Sequence, residues 1–210
     1  SDADAGSRYF VNGQNTQNVN TKIINDMYSE SALFNINYTR IFSGNSELTL
    51  NGDYNYYFMG KKSYQDNRFF NPQNIELRNP AIFTTNSDQY ITIKSFKADY
   101  ELTLKSRIKL ETGIKWSQSK TDNDLNWKDF VNNEWIDNNS QKNRFIYTED
   151  IGAAYLTASK ELNSKVNIKG GLRAEMTRSD GEWISSDTTT HKSKLDLFPT
   201  LFIGYNPTKN

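Results

Sequence analysis

The chain has 210 residues, 25 Lys+Arg against 25 Asp+Glu, no Cys, one His and 35% hydrophobic residues, with a mean hydropathy of −0.80. The zero balance leaves no electrostatic footprint for nucleic acid or an anionic membrane surface. Without Cys there is no disulfide framework or thiolate chemistry, a lone His makes triads and His metal sites poor candidates, and no apolar run of about 18 residues offers a transmembrane helix.

Aromatics are abundant (12 Tyr, 12 Phe, 4 Trp), and so are the 26 Asn. Aromatics and Thr favour strands, whereas Asn and Gly favour turns, so the composition points to an all-β protein with polar loops. There is no initiator Met and no signal peptide, which suggests a processed chain or a piece of a longer one.

Residues 1–30 read as loop. Period-two alternation then begins: Phe34, Ile36, Tyr38 and Phe42 oppose Asn35, Asn37 and Thr39. A turn signal at 43–46 leads to Leu48, Leu50, Gly52, Tyr54, Tyr56 and Phe58, so 31–58 forms a hairpin. A long polar loop follows near 60–89. Residues 90–117 make a second hairpin, with Ala98, Tyr100, Leu102 and Leu104 before a turn at 105–107 and Ile108, Leu110, Ile114 and Trp116 after it. A second long loop lies near 118–144. The third hairpin, 145–177, places Phe145, Tyr147, Ile151, Ala153 and Tyr155 on its apolar face, then Val166, Ile168, Leu172, Ala174 and Met176 after a turn within 160–165. A third long loop spans 178–193, and 194–206 is a seventh strand.

Short turns and long loops alternate strictly. A soluble sandwich has no reason for that segregation, whereas an outer-membrane barrel has short turns at one end and long loops at the other. The strands are about 10–14 residues, longer than the usual five or six and long enough to cross a bilayer at a tilt. Their polar face carries Lys109, Glu111 and Lys115, which suit a wet lumen better than a sandwich core. Tyr54, Tyr56, Phe58, Trp116, Phe145 and Tyr147 fall where strands meet long loops, the place of a membrane-interface girdle. The predicted fold is therefore an antiparallel up-and-down meander of about seven strands, an odd count that makes it a segment of a larger transmembrane β-barrel.

Chemistry-bearing motifs are few. Asp122-Asn123-Asp124-Leu125-Asn126 has calcium-loop spacing but lacks the turn Gly and the bidentate Glu, and reads as solvated loop. Asp180-Gly181-Glu182 has no fixed geometry for glycoside chemistry. Gly170-Gly171 lacks the Lys-Ser/Thr of a phosphate loop, and His191 sits in a polar stretch without a role. No catalytic residue, cofactor or metal site is expected. The candidate ligand contacts are Arg68, Phe69, Phe70, Trp127 and Trp135, which offer stacking faces beside Asn amides, a chemistry suited to sugars and peptides.

Gly170-Gly171-Leu172-Arg173-Ala174-Glu175-Met176-Thr177 and, after a loop, Leu197-Phe198-Pro199-Thr200-Leu201-Phe202-Ile203-Gly204-Tyr205-Asn206 resemble a passage of Bacteroidetes TonB-dependent outer-membrane receptors, in the divergent barrel branch. Tyr147-Thr148-Glu149-Asp150-Ile151-Gly152-Ala153-Ala154-Tyr155-Leu156 resembles the strand just upstream. The likeness covers about 90–206 by motif and 31–58 by pattern. It implies a non-catalytic part of a plugged 22-stranded barrel in the Gram-negative outer membrane. It also implies partners: outer-membrane lipid, the TonB complex through a plug this stretch does not contain, a surface lipoprotein, and a siderophore, glycan or peptide ligand. The rival reading is a soluble secreted all-β carbohydrate-binding module.

Overall fold

In the computed structural model, residues 2–11 and 13–207 are described. Their strands are β1 (Asp2–Val11), β2 (Gln14–Phe42), β3 (Ser46–Phe70), β4 (Glu76–Thr103), β5 (Ile108–Val131), β6 (Glu134–Asp137), β7 (Asn143–Asn163), β8 (Val166–Trp183) and β9 (Thr188–Tyr205). Every pairing is antiparallel. The sheet order is β1-β2-β3-β4-β5-β7-β8-β9, with β6 a short flap on β5. This is the expected meander, with nine strands instead of seven.

The extra length comes from stretches read as loops. The described residues of 1–30, and residues 60–89, 118–144 and 178–193, are mostly strand, and β2 alone runs 29 residues. Their polarity on both faces hides the alternation that marks a half-buried strand, while the lateral hydrogen-bond ladder needs no apolar face. The connections are short at both ends. Gly44 (φ 103°) and Asn45 (φ 58°) supply the left-handed backbone that closes β2 onto β3, and Asn132-Asn133 (φ 50° and 68°) do so for β5 and β6.

The sheet is one layer. Among the described residues only Val19 and Ala153 are buried hydrophobics, while Ile36, Leu201 and Ile203 are 75%, 70% and 67% exposed. Among the described residues no second sheet covers them, and the arrangement is one sheet, not the sandwich of the soluble reading.

Antiparallel partners project from the same face, so the register sorts side chains into two surfaces. One surface carries Phe34, Leu50, Phe96, Ile114, Trp116, Ala154, Met176 and Leu195. Its apolar band runs Val166–Met176 in β8 and Leu195–Tyr205 in β9, the roughly 9–11 residues a tilted strand needs to cross hydrocarbon. The other surface carries Lys97, Asp99, Glu101, Glu111, Arg173 and Glu175. The phase of β7 is the reverse of the expected one: Gly152, Ala154 and Leu156 face the band, whereas Phe145, Tyr147, Ile151, Ala153 and Tyr155 face the charged side. Its band side includes the small Gly152 and Ala154 and its charged side carries large aromatics, so hydrophobicity alone selects the wrong face.

Tyr155 explains part of that inversion. Its ring lies across Gly113, and its hydroxyl donates to Asp99 on β4, bridging over β5. A Cβ at position 113 would stand 2.5 Å from the Tyr155 hydroxyl and 2.7 Å from the Ala98 carbonyl. In the intact barrel, Gly113→Ala is expected to lower the thermal unfolding midpoint in detergent, at a cost of about 1–3 kcal/mol. Gly52→Ala, which would meet nothing within 4 Å, is the control and leaves the midpoint unchanged or higher.

Candidate functional site

The charged face is laced with ion pairs, some along a strand and two between strands, Lys109 to Glu101 and Lys169 to Glu111. Lys97 Nζ lies 2.6 Å from Asp99, and Lys109 Nζ lies 2.7 Å from Glu101 and 3.3 Å from Glu111. Lys169 reaches Glu111 at 2.8 Å from two strands away, and Arg173 grips Glu175 at 2.5 Å. Lys97, Asp99, Glu111, Tyr155 and Arg173 line an open groove of about 750 Å³. Strand alternation puts these groups there, every second residue of β4, β5, β7 and β8. Half-exposed pairs of this kind add little stability, about 0–1 kcal/mol each. What they make is a wettable wall studded with donors and acceptors.

Further from the short turns, the same face becomes aromatic. Phe83 and Trp127 stack at 4.2 Å, and Trp127 Nε1 donates to Asp129 at 2.8 Å. Phe145 lies 4.6 Å from Trp183 and 6.4 Å from Tyr147, whose hydroxyl donates to Glu149 at 2.9 Å. Stacked rings beside carboxylates and amides fit a flat polar ligand.

The candidate residues do not form one site. Phe69, under the Arg78 guanidinium at 3.6 Å, shares the charged face with Trp127 but sits at the end of β3. Arg68 and Phe70 project from the opposite face, with Arg68 held by Asp66 at 3.2 Å. Trp135 is also on that face, packed 5.1 Å from Phe130 and 6.3 Å from Tyr64. Of the expected girdle, Tyr54, Tyr56, Phe58 and Trp116 are on the apolar face, while Phe145 and Tyr147 are on the other. Tyr28 and Tyr90, absent from the expectation, flank Phe58 at 5.5 and 4.8 Å. Only the cross-strand register brings them together.

Three further contacts were invisible in the sequence because their partners are far apart in it. Tyr155 bonds Asp99, His191 Nδ1 meets Asp180 at 2.5 Å, and Arg144 clamps Asp122 bidentately at 3.1 and 2.8 Å. The last of these falls in the calcium-like stretch. Asp122–Asn126 is a strand, its carboxylates alternate with residues of the other face, and no metal-ligating cluster exists among the described residues.

Asp122 lies well beyond the apolar band. The Arg144 hydrogen bonds hold its carboxyl below the usual carboxylate range, against an opposing desolvation. Because the folded pKa is depressed, the pair's contribution is present above the unfolded carboxylate pKa and lost as pH falls through the folded value. Asp122→Asn is therefore expected to lower stability by about 0.5–1 kcal/mol at pH 7. Melting curves of wild type and variant should converge as the pH is taken below about 4.

Among solved structures, the fold is similar to a ferric citrate transporter, FecA, in its unliganded form: TM-score 0.47, 11% identity, 91% of this chain and 34% of that one. It is also similar to the ferric yersiniabactin uptake receptor FyuA of Yersinia pestis (TM-score 0.36, 12% identity, 93% and 37% covered). A third similar structure is the outer membrane protease OmpT of Escherichia coli (TM-score 0.36, 9% identity, 92% and 68% covered). The chain thus spans about a third of the length of the first of these. No curated protein sequence matches it. The sequence pattern of the outer membrane protein beta-barrel family matches residues 40–210, the stretch that holds the apolar band and the charged face, and the chain belongs to that outer-membrane family.

Proposed function

We propose that this segment is part of the wall of a TonB-dependent receptor barrel of the divergent branch, importing a small molecule, glycan or peptide. The observation that carries the reading is the division of one sheet into a lipid-tall apolar face and an ion-paired opposite face, with strands continuing far past the band on one side only. A wall of that kind needs a membrane on one side and water on the other. Its long extension, lined by Phe83, Trp127, Phe145 and Trp183, forms a vestibule where ligand is first captured. The segment performs no bond chemistry. Energy would come from the TonB complex through a plug domain, and a surface lipoprotein would hand ligand to the vestibule.

Orientation tests this directly. With the intact barrel in outer membranes, an impermeant thiol reagent added to whole cells should label Asn133→Cys, at the tip of the long extension, and leave Ser106→Cys, in a short turn, unlabelled until cells are lysed. Equal labelling of both in whole cells would sink the reading.

A further inference from the structure

The apolar band ends abruptly. From β4 to β9 its last row is Phe96, Trp116, Gly152, Met176 and Leu195, joined partner to partner across the sheet. The next row on the same face, on the side of the long extension, is Lys94, Gln118, Asp150, Arg178 and Ser193. One step further, Lys120 stands beside Thr92 and Thr148. Lys94, Lys120 and Arg178 are exposed. Among the described residues none of the three has a carboxylate within ion-pair distance, whereas Lys97, Lys109, Lys169 and Arg173 on the opposite face each hold one.

The nearby acids are engaged elsewhere. Gln118 Nε2 donates to Asp150 at 3.1 Å, Arg144 takes Asp122, and His191 takes Asp180. Three cations without an ion-pair contact therefore sit at the height where hydrocarbon gives way to headgroups, Arg178 opposite Asp150 and Lys120 within electrostatic reach of Asp122, on a chain whose net charge is zero. Long basic side chains lay their methylenes along apolar surface and lift the charge to the interface. An arginine and two ammonium groups there complement phosphate oxygens.

We infer that Lys94, Lys120 and Arg178 form a binding surface for the phosphate-bearing headgroup of an outer-leaflet lipid. The choice of leaflet rests on the orientation proposed above; the chemistry does not.

The test uses the intact barrel in nanodiscs of phosphatidylcholine doped with lipid A, a phosphorylated glucosamine lipid, and measures lipid A retained per barrel after delipidation. Wild type should retain lipid A and should not retain its dephosphorylated form. Retention should fall about fivefold for each cation removed in Lys94→Gln, Lys120→Gln and Arg178→Gln. Lys94→Arg and Lys120→Arg should keep it, as should Lys115→Gln and Lys192→Gln on the opposite face. Circular dichroism of each variant confirms that the sheet is intact. Equal retention by wild type and the triple Gln variant, or an equal loss from the opposite-face pair, overturns the inference. Full displacement by millimolar inorganic phosphate also overturns it, since the surface would then be a free-phosphate site. Because a nanodisc offers lipid A on both leaflets, this result stands apart from the thiol-labelling result. Retention lost with labelling intact removes only the lipid site, and labelling reversed with retention intact removes only the orientation.

Discussion

Everything in this chain follows from the absence of hydrogen-bonding solvent inside a bilayer. A backbone amide or carbonyl left unpaired in hydrocarbon costs several kcal/mol, so a spanning strand must find its partners sideways. β2 to β5 and β7 to β9 do that residue by residue, with near-continuous registers of 18 to 25 pairs each. Once the register is fixed, the pleat decides the rest. Each side chain faces either lipid or lumen, and a one-residue slip would exchange the two. The sheet needs no protein core, and it has none: no large side chain among the described residues is fully buried.

The two faces then solve opposite problems. The lipid face must be apolar but need not interdigitate with protein, so Gly52 and Gly152 can stand with open space above them. The lumen face must be wet yet keep its strands aligned. It uses contacts that skip a strand: Tyr155 over Gly113 to Asp99, and Lys169 over β7 to Glu111. Such contacts tie three strands at once, so they resist shear between neighbours in a way that a single cross-strand pair does not.

The band was legible in the sequence because burial in lipid and pleat periodicity coincide there. Phe34 to Tyr38 and Ile108 to Trp116 alternate cleanly, Leu195, Leu197, Leu201, Ile203 and Tyr205 keep the same phase, and the turn at Gly44-Asn45 announces itself by residue type. The extension was not legible. Lys61 to Arg68 is polar on both faces, so nothing in it distinguishes a strand standing in water from a loop. β7 misled for a subtler reason. A lumen rich in Tyr and Phe inverts the usual hydrophobic contrast, and only the pairing of Ala154 with Ile114 and Ala174 reveals which side meets lipid. The candidate ligand residues were chosen as loop aromatics. On strands they alternate, so Arg68 and Phe69 can never serve the same surface.

The upper wall being strand instead of loop changes what kind of surface it is. From Phe96 to Glu76, β4 continues about 20 residues past the band, roughly 50 Å of rise at a barrel's tilt. A hydrogen-bonded palisade of that height is stiff. Its aromatic rungs are held in position in advance, so capture on the proposed function would cost little ordering entropy. It also carries the mouth of the barrel clear of the lipid headgroups. On the proposed function, the first encounter with a ligand would happen out in the surface layer of the cell, and the remaining distance to the membrane would be travelled inside the protein.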